Sequence, residues 1–367
     1  MASEGKRSSE ASMNAVILVG GEGTRLRPLT CNTPKAMVPV LNRPFLEHVL
    51  CQLKAHGVRT VVLALGHLSQ PIEEYFGDGS NVGVNLVYSV EKEPLGTAGP
   101  VKLAEQYLDG RFLVLNGDVF ADFDITSIVA AHGRSGAVAT LALTPVEDPT
   151  IYGVVEMSAE GRVKRFVEKP RREEVTSNMI NAGLYVMEPE VLSYIPAGTK
   201  VMFEHNVFPA LLKAGKPMFG HAQTGYWIDI GTPQKYLQLN LDMLGKDAHA
   251  PQHPAGALVH PTARFSGSVL LPDDCIVGAG VRIAGPAVIG PSCQLGPGSV
   301  LSRSVLWSGS LLSENCSVSA SVIADQCVIG TGAIIDNSVL GDHLAIAPGA
   351  RIGPGVKLWP KTGCGAT

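Results

Sequence analysis

The 367-residue sequence lacks the features of several common protein classes. It contains no run of about 18 apolar residues, and its N-terminus has no apolar stretch of the kind found in signal peptides. Its 29 lysines and arginines are balanced by 33 acidic residues, so the broad basic field that holds nucleic acid is missing. We therefore expect a soluble cytoplasmic protein that binds neither nucleic acid nor membranes.

Paired cysteines are also missing. The seven cysteines are odd in number and form no Cys-x-x-Cys motif. This pattern favours neither a disulfide framework nor a zinc ribbon, and we expect the cysteines to be reduced thiols.

Glycine and proline, in contrast, are abundant. The 41 glycines and 25 prolines make up about 18% of the chain, against an average nearer 12%. A hydrophobic content of 45% with 17% charged residues is enough for a sizeable core and excludes a disordered or collagen-like polymer. The length suggests about two domains.

The N-terminal two thirds of the chain alternate strand and helix patterns. Residues 1–13 have no periodicity and predict a disordered tail, and residues 14–244 form the first predicted domain. Its predicted strands are Ala15–Val19, Val61–Leu65, Val84–Val90 and Phe112–Leu115. Its predicted helices are Phe45–Ala55, Thr97–Leu108 and Ile125–His132. The alternation predicts an α/β domain with a Rossmann-like mixed, mainly parallel sheet.

The last third of the chain follows a period of six. A linker without apolar rhythm, residues 245–257, precedes residues 258–367, in which a large apolar residue recurs at every sixth position from Val259 to Leu301. The period then slips by one residue at Leu306, Ile323 and Leu340, and each slip shortens a coil from 18 residues to 17. Such repeats predict a parallel β-helix with three short faces per coil.

Four cysteines fit this β-helix. Cys275, Cys293, Cys316 and Cys327 stand two residues before an aliphatic position, where the residue is nearly always small. Packing in the core explains them better than metal or redox chemistry.

The strongest chemical signal follows the first predicted strand. In the segment Gly20-Gly21-Glu22-Gly23-Thr24-Arg25-Leu26-Arg27 the glycines let backbone N–H groups approach a polyphosphate, and the arginines offer planar donors to its oxygens. An ordinary tight turn is the alternative. Lys35, beside Pro34, either adds a point charge to the same phosphates or is a solvated loop residue.

Acidic and polar residues follow other strands. Asp118, in Asn116-Gly117-Asp118, comes after a strand at the sheet edge where ligands bind, and a carboxylate there suits Mg²⁺, although the tripeptide also suits a turn. Asp229 is flanked by apolar residues, and a carboxylate in such a setting usually has a partner or a metal. Glu168, Lys169 and Asn181 would together suit a sugar phosphate, or each is an ordinary surface residue.

These motifs, in this order, resemble the sugar-1-phosphate nucleotidyltransferases. The resemblance covers about residues 14–244 and rests on Gly20–Pro28, Pro34-Lys35, Glu93–Gly99, Asn116–Asp118, Tyr152–Val155, Glu168–Pro170, Asn181–Gly183 and Trp227–Gly231. The C-terminal repeats resemble the left-handed β-helix that many of these enzymes carry.

The resemblance implies the reaction NTP + sugar 1-phosphate ⇌ NDP-sugar + pyrophosphate, with Mg²⁺ as the cofactor. The residues to which it gives roles are Arg25, Lys35 and Asp118 in catalysis; Gly20, Gly21, Gly23, Thr24, Arg25, Glu91, Gly96, Thr97 and Gly117 in nucleotide binding; Gly153, Glu168, Lys169 and Asn181 in sugar-phosphate binding; and Asp118 and Asp229 in metal binding.

The choice of base is indicated by one residue. Glu91 lies just upstream of the Leu95-Gly96-Thr97-Ala98 motif, and in the family a residue at this place faces the base. A carboxylate suits the two neighbouring donors of guanine. We therefore expect GTP and mannose 1-phosphate. A glucose-1-phosphate thymidylyltransferase or uridylyltransferase is the near alternative.

Two other functions fit the sequence less well. A β-helix that transfers acyl groups usually needs a catalytic histidine on projecting loops, but here His343 stands alone. A non-catalytic regulatory subunit of the same plan would lack the phosphate-loop arginine or the metal acids, and all are present. We expect the β-helix to pair subunits into a homo-oligomer.

Overall fold

The computed structural model describes residues 13–66, 69–246 and 256–361, and these form two compact units. The first comprises the chain up to Gly21 together with Glu47–Trp227, and the second comprises Glu22–Leu46 together with the chain from Ile228 onward. Residues 1–12 of the predicted tail and 247–255 of the predicted linker lie outside the described residues.

Helices of three kinds occur in the described chain. The α-helices are α1 (Phe45–Ala55), α2 (Gln70–Phe76), α3 (Gly99–Leu103), α4 (Ile125–Ser135), α5 (Phe208–Lys213) and α6 (Pro233–Lys246). Short 3₁₀ helices cover Thr24–Leu26, Lys35–Met37, Glu105–Tyr107, Pro149–Ile151, Arg172–Glu174 and Pro189–Tyr194, and a π-helical turn covers Phe203–Val207. Within these described ranges, no helix is both long enough and apolar enough to cross a membrane.

The strands before the β-helix are mostly five to seven residues long. They are β1 (Asn14–Leu18), β2 (Pro39–Val40), β3 (Arg43–Pro44), β4 (Thr60–Leu65), β5 (Asn85–Val90), β6 (Phe112–Asn116), β7 (Val119–Ala121), β8 (Ala139–Pro145), β9 (Gly153–Met157), β10 (Val163–Glu168), β11 (Met179–Met187), β12 (Met218–Ala222) and β13 (Trp227–Asp229).

Nine of these strands build one mixed sheet in the first unit. The main order is β10-β9-β11-β6-β1-β4-β5, and β8 pairs with both β11 and β12. The pairs β6-β1, β1-β4 and β4-β5 are parallel, whereas β11 runs antiparallel to β6. The Rossmann-like sheet expected from the alternating pattern is confirmed.

The core of the first unit is apolar and rich in aromatic residues. Tyr185, Phe203 and Phe208 are fully buried, and the rings of Phe203 and Phe208 stack with centroids 5.5 Å apart. Burial of each such side chain stabilises the fold by about 1.5–3 kcal/mol. Because Phe203 begins the π-helical turn, this core also fixes the backbone of the residues that follow it.

The second unit contains the repeats. Its strands are β14 (Leu258–Val259), β15 (Arg264–Ser266), β16 (Val269–Leu270), β17 (Ile276–Val277), β18 (Arg282–Ala284), β19 (Ala287–Ile289), β20 (Gln294–Leu295), β21 (Val300–Ser302), β22 (Val305–Leu306), β23 (Leu311–Leu312), β24 (Ser317–Ser319), β25 (Val322–Ile323), β26 (Val328–Ile329), β27 (Ile334–Asp336), β28 (Val339–Leu340), β29 (Ala345–Ile346), β30 (Arg351–Ile352) and β31 (Lys357–Leu358).

These strands form three parallel six-stranded sheets, the arrangement of a left-handed β-helix. Their orders are β14-β17-β20-β23-β26-β29, β15-β18-β21-β24-β27-β30 and β16-β19-β22-β25-β28-β31. Leu258 pairs with Ile276, 18 residues on, whereas Leu311 pairs with Val328, 17 residues on. The predicted period and the predicted shortening of the coils are both confirmed.

The four inward cysteines are buried in the β-helix core, as predicted. Burial raises the pKa of Cys293 and of Cys327 to about 12, so both thiols stay protonated and unreactive at neutral pH.

The expectation of reduced thiols is wrong for Cys31, which is disulfide-bonded, and correct for Cys51 and the four core cysteines. A disulfide can join cysteines at any separation along the chain. The lack of a short Cys-x-x-Cys motif therefore does not exclude one.

Candidate active site

The first unit holds the beginning of the glycine-rich segment. Strand β1 ends at Leu18 between β4 and β6, so Gly20 and Gly21 leave the sheet at the carboxyl end of its parallel strands. A Cβ at Gly20 would lie 2.6 Å from Oε1 of Glu91, so that oxygen would have to move, whereas Gly21 faces open space. Glycine at position 20 therefore leaves room for the Glu91 carboxylate in its present orientation.

Glu91 is held in a fixed orientation. It follows β5, its backbone N–H donates to the carbonyl of Leu65 at 2.9 Å, and its Oε2 accepts the N–H of Leu95 at 2.9 Å. One carboxylate oxygen thus anchors the Leu95-Gly96-Thr97 turn while the other lies against Gly20. The residue predicted to face the base does lie beside the glycine-rich segment.

The Leu95-Gly96-Thr97 turn is itself tied to the π-helical turn. Gly96 has a φ of 81°, and a Cβ there would lie 2.5 Å from the carbonyl oxygen of Val201. Thr97 Oγ1 donates to Oε2 of Glu204 at 2.8 Å and accepts the N–H of Phe203 at 2.9 Å. Glu204 was not identified from the sequence, although π-helical turns often mark functional sites.

Asp118 lies where the central strands end. The N–H of Gly117 donates to the carbonyl of Leu18 at 3.0 Å, and a Cβ at Gly117 would lie 2.5 Å from that oxygen. The end of β6 is thereby held against the end of β1. Asp118 follows at once, half-buried, at the sheet edge predicted from the sequence.

The residues assigned to the sugar phosphate fall partly together. A Cβ at Gly153 would lie 2.9 Å from Oε2 of Glu168, and Lys169 Nζ lies 3.5 Å from Oε1 of the same carboxylate. The side chain of Glu168 is 16% exposed and that of Lys169 is 67% exposed. The carboxylate is therefore sheltered while the ammonium group extends into solvent.

Asn181 is oriented by a buried tyrosine. Its Nδ2 donates to Oη of Tyr185 at 2.8 Å, and its Oδ1 accepts the N–H of Gly183 at 3.2 Å. Trp227 packs beside Asn181, because its Nε1 donates to the carbonyl of the next residue, Ala182, at 3.0 Å.

Negative charge accumulates around these groups. Burial raises the pKa of Glu168, and the charge of Glu204 raises it further, whereas Lys169 and His205 oppose the shift. Burial and the same Glu204 charge hold the pKa of Tyr185 well above its ordinary value. Glu168, Glu204 and Tyr185 therefore form one electrostatically connected group that offers acceptors and a hydroxyl to polar ligands.

The second unit holds the rest of the glycine-rich segment. Gly23 has a φ of 63°, its carbonyl accepts the hydroxyl of Thr30 at 2.7 Å, and a Cβ at Gly23 would lie 3.2 Å from Cβ of Lys35. Gly23 thus brings the 3₁₀ turn of Thr24 and Arg25 next to the 3₁₀ turn of Lys35.

Arg25 and Asp229 lie next to each other in the same unit. A Cβ at Gly231 would lie 3.3 Å from Nη2 of Arg25 and 2.9 Å from Oδ2 of Asp229. Lys235 Nζ forms an ion pair with Oδ1 of Asp229, whose side chain is 15% exposed. The sequence predicted a partner or a metal for Asp229 but did not identify Lys235, which lies one turn after Gly231 at the start of α6.

The predicted magnesium ligands have the right chemistry for that ion. In nucleotide sites Mg²⁺ is bound by one or two carboxylates together with substrate phosphates rather than by an all-protein cage. In the part of the chain that the structure describes, no three His, Cys, Asp or Glu side chains converge on one point. Asp118, directly after β6, and Asp229, the last residue of β13, each offer a carboxylate of the kind that this mode uses.

Comparison with known proteins adds two family matches. Residues 14–246 match the nucleotidyl transferase family, and residues 265–362 match the GMPPB C-terminal domain family.

Individual relatives span most of the chain. The chain is 37% identical to the mannose-1-phosphate guanylyltransferase of Mycobacterium tuberculosis, with 80% of each chain covered. It is 36% identical to the UTP–glucose-1-phosphate uridylyltransferase of a Synechocystis species, covering 80% of this chain and 83% of the relative. The crystal structure of HddC from Yersinia pseudotuberculosis complexed with GMP-PN is similar with a TM-score of 0.55 and 28% identity, over 63% of this chain and 99% of that one.

Proposed function

Because the chain belongs to the sugar-1-phosphate nucleotidyltransferase family, we propose that its donor is GTP and its acceptor is mannose 1-phosphate. The chain is an enzyme of the nucleotidyltransferase class. The proposed products are GDP-mannose and pyrophosphate.

The relatives support this choice of substrates. Several of them are mannose-1-phosphate guanylyltransferases at 37% to 41% identity, and the C-terminal domain matches the GMPPB family. A solved structure of similar fold was determined with a guanine nucleotide analogue.

Glu91 is the observation that carries the proposal for GTP. Guanine presents N1–H and N2–H₂ side by side, and a carboxylate accepts from both, whereas uracil and thymine present one donor between two acceptors. Glu91 is fixed between Leu95 and Gly20, so its carboxylate needs no further ordering when a base binds. A charge-assisted hydrogen bond contributes about 1.5–3 kcal/mol, or roughly 10- to 100-fold in kcat/KM.

The test is pyrophosphate release across four nucleoside triphosphates and three sugar 1-phosphates. We expect GTP with mannose 1-phosphate to give the highest kcat/KM, and the proposal is wrong if GTP is the poorest donor. Glu91→Gln should lower kcat/KM for GTP about 10- to 100-fold and leave UTP little changed. Glu93→Gln, an exposed neighbour on the same loop, is the control. An equal loss for all donors would mean that Glu91 orders the loop without reading the base.

The chemistry follows from placement and charge. An oxygen of the sugar phosphate attacks the α-phosphorus in line, the bond to the β-phosphate oxygen breaks, and pyrophosphate leaves with its electron pair. Arg25 and Lys35 donate to the phosphate oxygens on which charge develops. Backbone N–H groups at Gly20, Gly21, Gly23 and Thr24 are assigned to the nucleotide. Gly117, whose own N–H donates to Leu18, is assigned to nucleotide binding through the close approach of its backbone.

Sugar-phosphate binding is assigned to another set. Lys169 would contact the phosphate, and the sheltered Glu168 with Asn181 and the backbone at Gly153 would bind hydroxyls. Because Lys169 lies 3.5 Å from the Glu168 carboxylate, one bound sugar phosphate can contact both groups.

Magnesium would be held by Asp118 and Asp229. When bound, it supplies charge neutralisation for the phosphates. Asp229 in turn is held by Lys235 and lies beside Arg25, so the position of this carboxylate is fixed by cations of its own unit.

A uridylyltransferase that acts on glucose 1-phosphate is the second candidate. The Synechocystis relative favours it, because its identity and coverage nearly equal those of the guanylyltransferase from Mycobacterium tuberculosis. The same substrate panel separates the two candidates.

The proposal includes a cytoplasmic location, where nucleoside triphosphates are available. It also includes a homo-oligomer formed through the β-helix. The homo-oligomer is supported by three outward apolar residues on one face, Leu258 of β14, Ile276 of β17 and Val328 of β26, which are 68%, 42% and 44% exposed. Rows of exposed apolar side chains mark association surfaces.

A further inference from the structure

The segment Glu22–Leu46 belongs to the compact unit that contains the β-helix. This segment carries Thr24, Arg25 and Lys35, the groups assigned to the phosphates. The β-helix therefore packs in one unit with the residues assigned to the phosphates. A domain that served only for oligomerisation would not need this arrangement.

One end of the segment is held by a buried hydrogen-bonded chain. Trp307 Nε1 donates to Oη of Tyr236 at 2.8 Å, and Tyr236 Oη donates in turn to the carbonyl of Pro39. Tyr236 and Trp307 are 0% and 1% exposed. Buried bonds of this kind fix geometry, because breaking one leaves an unpaired polar group away from water.

Trp307 departs from its own repeat. The residues at the same position in the two adjacent coils are Gly290 and Ala324, so a large aromatic side chain is not a requirement of the β-helix at this position. Its ring meets Tyr236 edge-to-face, with centroids 6.2 Å apart. The tryptophan is thus explained by its contact with the tyrosine that supports Pro39.

The middle of the segment is held by a carboxylate on a coil turn. Asn32 Nδ2 donates to Oδ2 of Asp342 at 3.0 Å, and Oδ1 of Asp342 accepts the N–H of Asp325 at 3.3 Å. Asp342 is only 3% exposed. Next to it, a Cβ at Gly341 would lie 3.2 Å from Cβ of Pro28, so the coil turn packs directly on the segment.

Two further bonds hold the segment at the same end as Pro39. The N–H of Leu41 donates to Oδ1 of Asn240 at 3.0 Å, and Asn42 Nδ2 donates to the carbonyl of Ile289 at 2.8 Å. Leu41 and Asn42 both have positive φ values, 47° and 64°. The strained turn needs such external bonds to persist.

We infer that Asp342 and Trp307 of the β-helix are positioning residues for nucleotidyl transfer, acting through Asn32 and through Tyr236 on the segment that carries Arg25 and Lys35. The inference rests on the proposed roles of Arg25 and Lys35. In phosphoryl chemistry that depends on placement, a shift of about 1 Å costs on the order of 10²-fold in rate.

The test is a double-mutant cycle on the pair Asn32 and Asp342 in the full-length enzyme. Asn32→Ala and Asp342→Ala should each lower kcat about tenfold at saturating substrates, because placement acts on the transition state. The double variant should be no worse than the more damaged single variant, because both changes break the same bond. Asp342→Asn keeps an oxygen acceptor and should retain most of the activity.

A matched control separates placement from stability. Ser319→Ala removes a 2.6 Å hydrogen bond to Asp336 between β24 and β27, whereas Trp307 and Asp342 follow strands β22 and β28 of another sheet. It should leave kcat unchanged, while Asn32→Ala, with a similar Tm, lowers it and speeds amide hydrogen exchange in residues 22–46.

The Trp307 arm is independent of the first. Trp307→Phe keeps an aromatic ring but loses the N–H, and a fall in kcat is expected that is no larger than that of Tyr236→Phe, which also loses the bond to Pro39. The inference would be overturned if Asn32→Ala and Trp307→Phe kept the kcat of the wild type and its amide hydrogen exchange in residues 22–46. That result would leave the proposed function intact. A wild-type enzyme that releases no pyrophosphate with any donor would refute the proposed function instead.

Discussion

At the scale of single residues, glycines and carboxylates are explained by the atoms next to them. Gly20 leaves room for the carboxylate of Glu91, and Gly117 is required by the carbonyl of Leu18. The sequence singled out both glycines for nucleotide binding, which stays a prediction, and it did not indicate these contacts within the protein. Glu204 and Lys235 were not predicted, because their roles depend on partners at Thr97 and Asp229 that no local pattern reveals.

The partly buried carboxyl of Glu168 predicts a pH dependence. Burial and the neighbouring Glu204 raise its pKa, so the group gains its proton at a higher pH than an exposed glutamate does. A protonated carboxyl is a poorer acceptor for sugar hydroxyls. KM for the sugar 1-phosphate should therefore rise as pH falls through this raised pKa, and should be lowest above it.

Glu168→Gln, which cannot titrate, is the matched variant for that prediction. It should show a raised KM that no longer varies over the same pH range, while KM for the nucleotide follows the wild-type profile. A wild-type KM for the sugar phosphate that is flat with pH would contradict the assignment of Glu168.

At the scale of elements, the β-helix was the most predictable part of the chain. Its six-residue period is imposed by the stacking of identical faces, and it fixes register as well as fold. Helix α1 was predicted with its observed bounds, because its apolar residues recur with helical spacing and Arg43-Pro44 precedes it. The helix predicted over Thr97–Leu108 is instead α3 followed by a 3₁₀ turn, since Gly99-Pro100 delays its start.

One carboxylate in the β-helix, that of Asp325, lowers the stability of the fold at neutral pH. Asp325 is partly buried next to Asp342. Burial, together with the charge of Asp342, raises the pKa of Asp325 from 3.8 to about 6. A hydrogen bond from the backbone of Ser308 and the charge of His343 oppose this shift. The folded state therefore binds this proton more tightly than the unfolded state. Stability from this group is present below pH 4 and is lost as pH rises toward 6 and above.

Asp325→Asn should consequently raise Tm at pH 7 by a few degrees, and the gain should shrink as pH is lowered toward 4. Thermal unfolding at pH 4.5, 6 and 7 checks this. Asp274→Asn, at an exposed carboxylate whose pKa is lowered by Ser292, is the control and should show the opposite sign. An equal effect of Asp325→Asn at all three pH values would contradict the prediction.

At the scale of the whole molecule, the division of the chain differs from a simple linear one. The predicted boundary between residues 244 and 258 follows composition, whereas the compact units place Glu22–Leu46 with the β-helix. Sequence reasoning could not reveal this. The contacts of Asn32, Pro39 and Asn42 span 197 to 310 residues and leave no local signal.

The outward row of the β-helix predicts how copies of the chain associate. Leu258, Ile276, Gln294, Leu311, Val328 and Ala345 pair in register along one face. At about 4.8 Å per strand the row is about 24 Å long, and four of its members are large and apolar. A second copy of the same face would cover it, since a flat row of this kind is self-complementary across a two-fold axis.

Ile276→Lys and Val328→Lys should therefore lower the mass measured by light scattering from that of the oligomer toward that of one chain, because each places a charge in the proposed contact. Ser317→Lys, on the neighbouring face, should leave the mass unchanged. An oligomer that survives both apolar substitutions would place the contact elsewhere. A monomeric wild type at micromolar concentration would refute the homo-oligomer altogether. Because these substitutions lie on a face distinct from Trp307 and Asp342, kcat per chain should stay near the wild-type value, and association and catalysis can be measured independently.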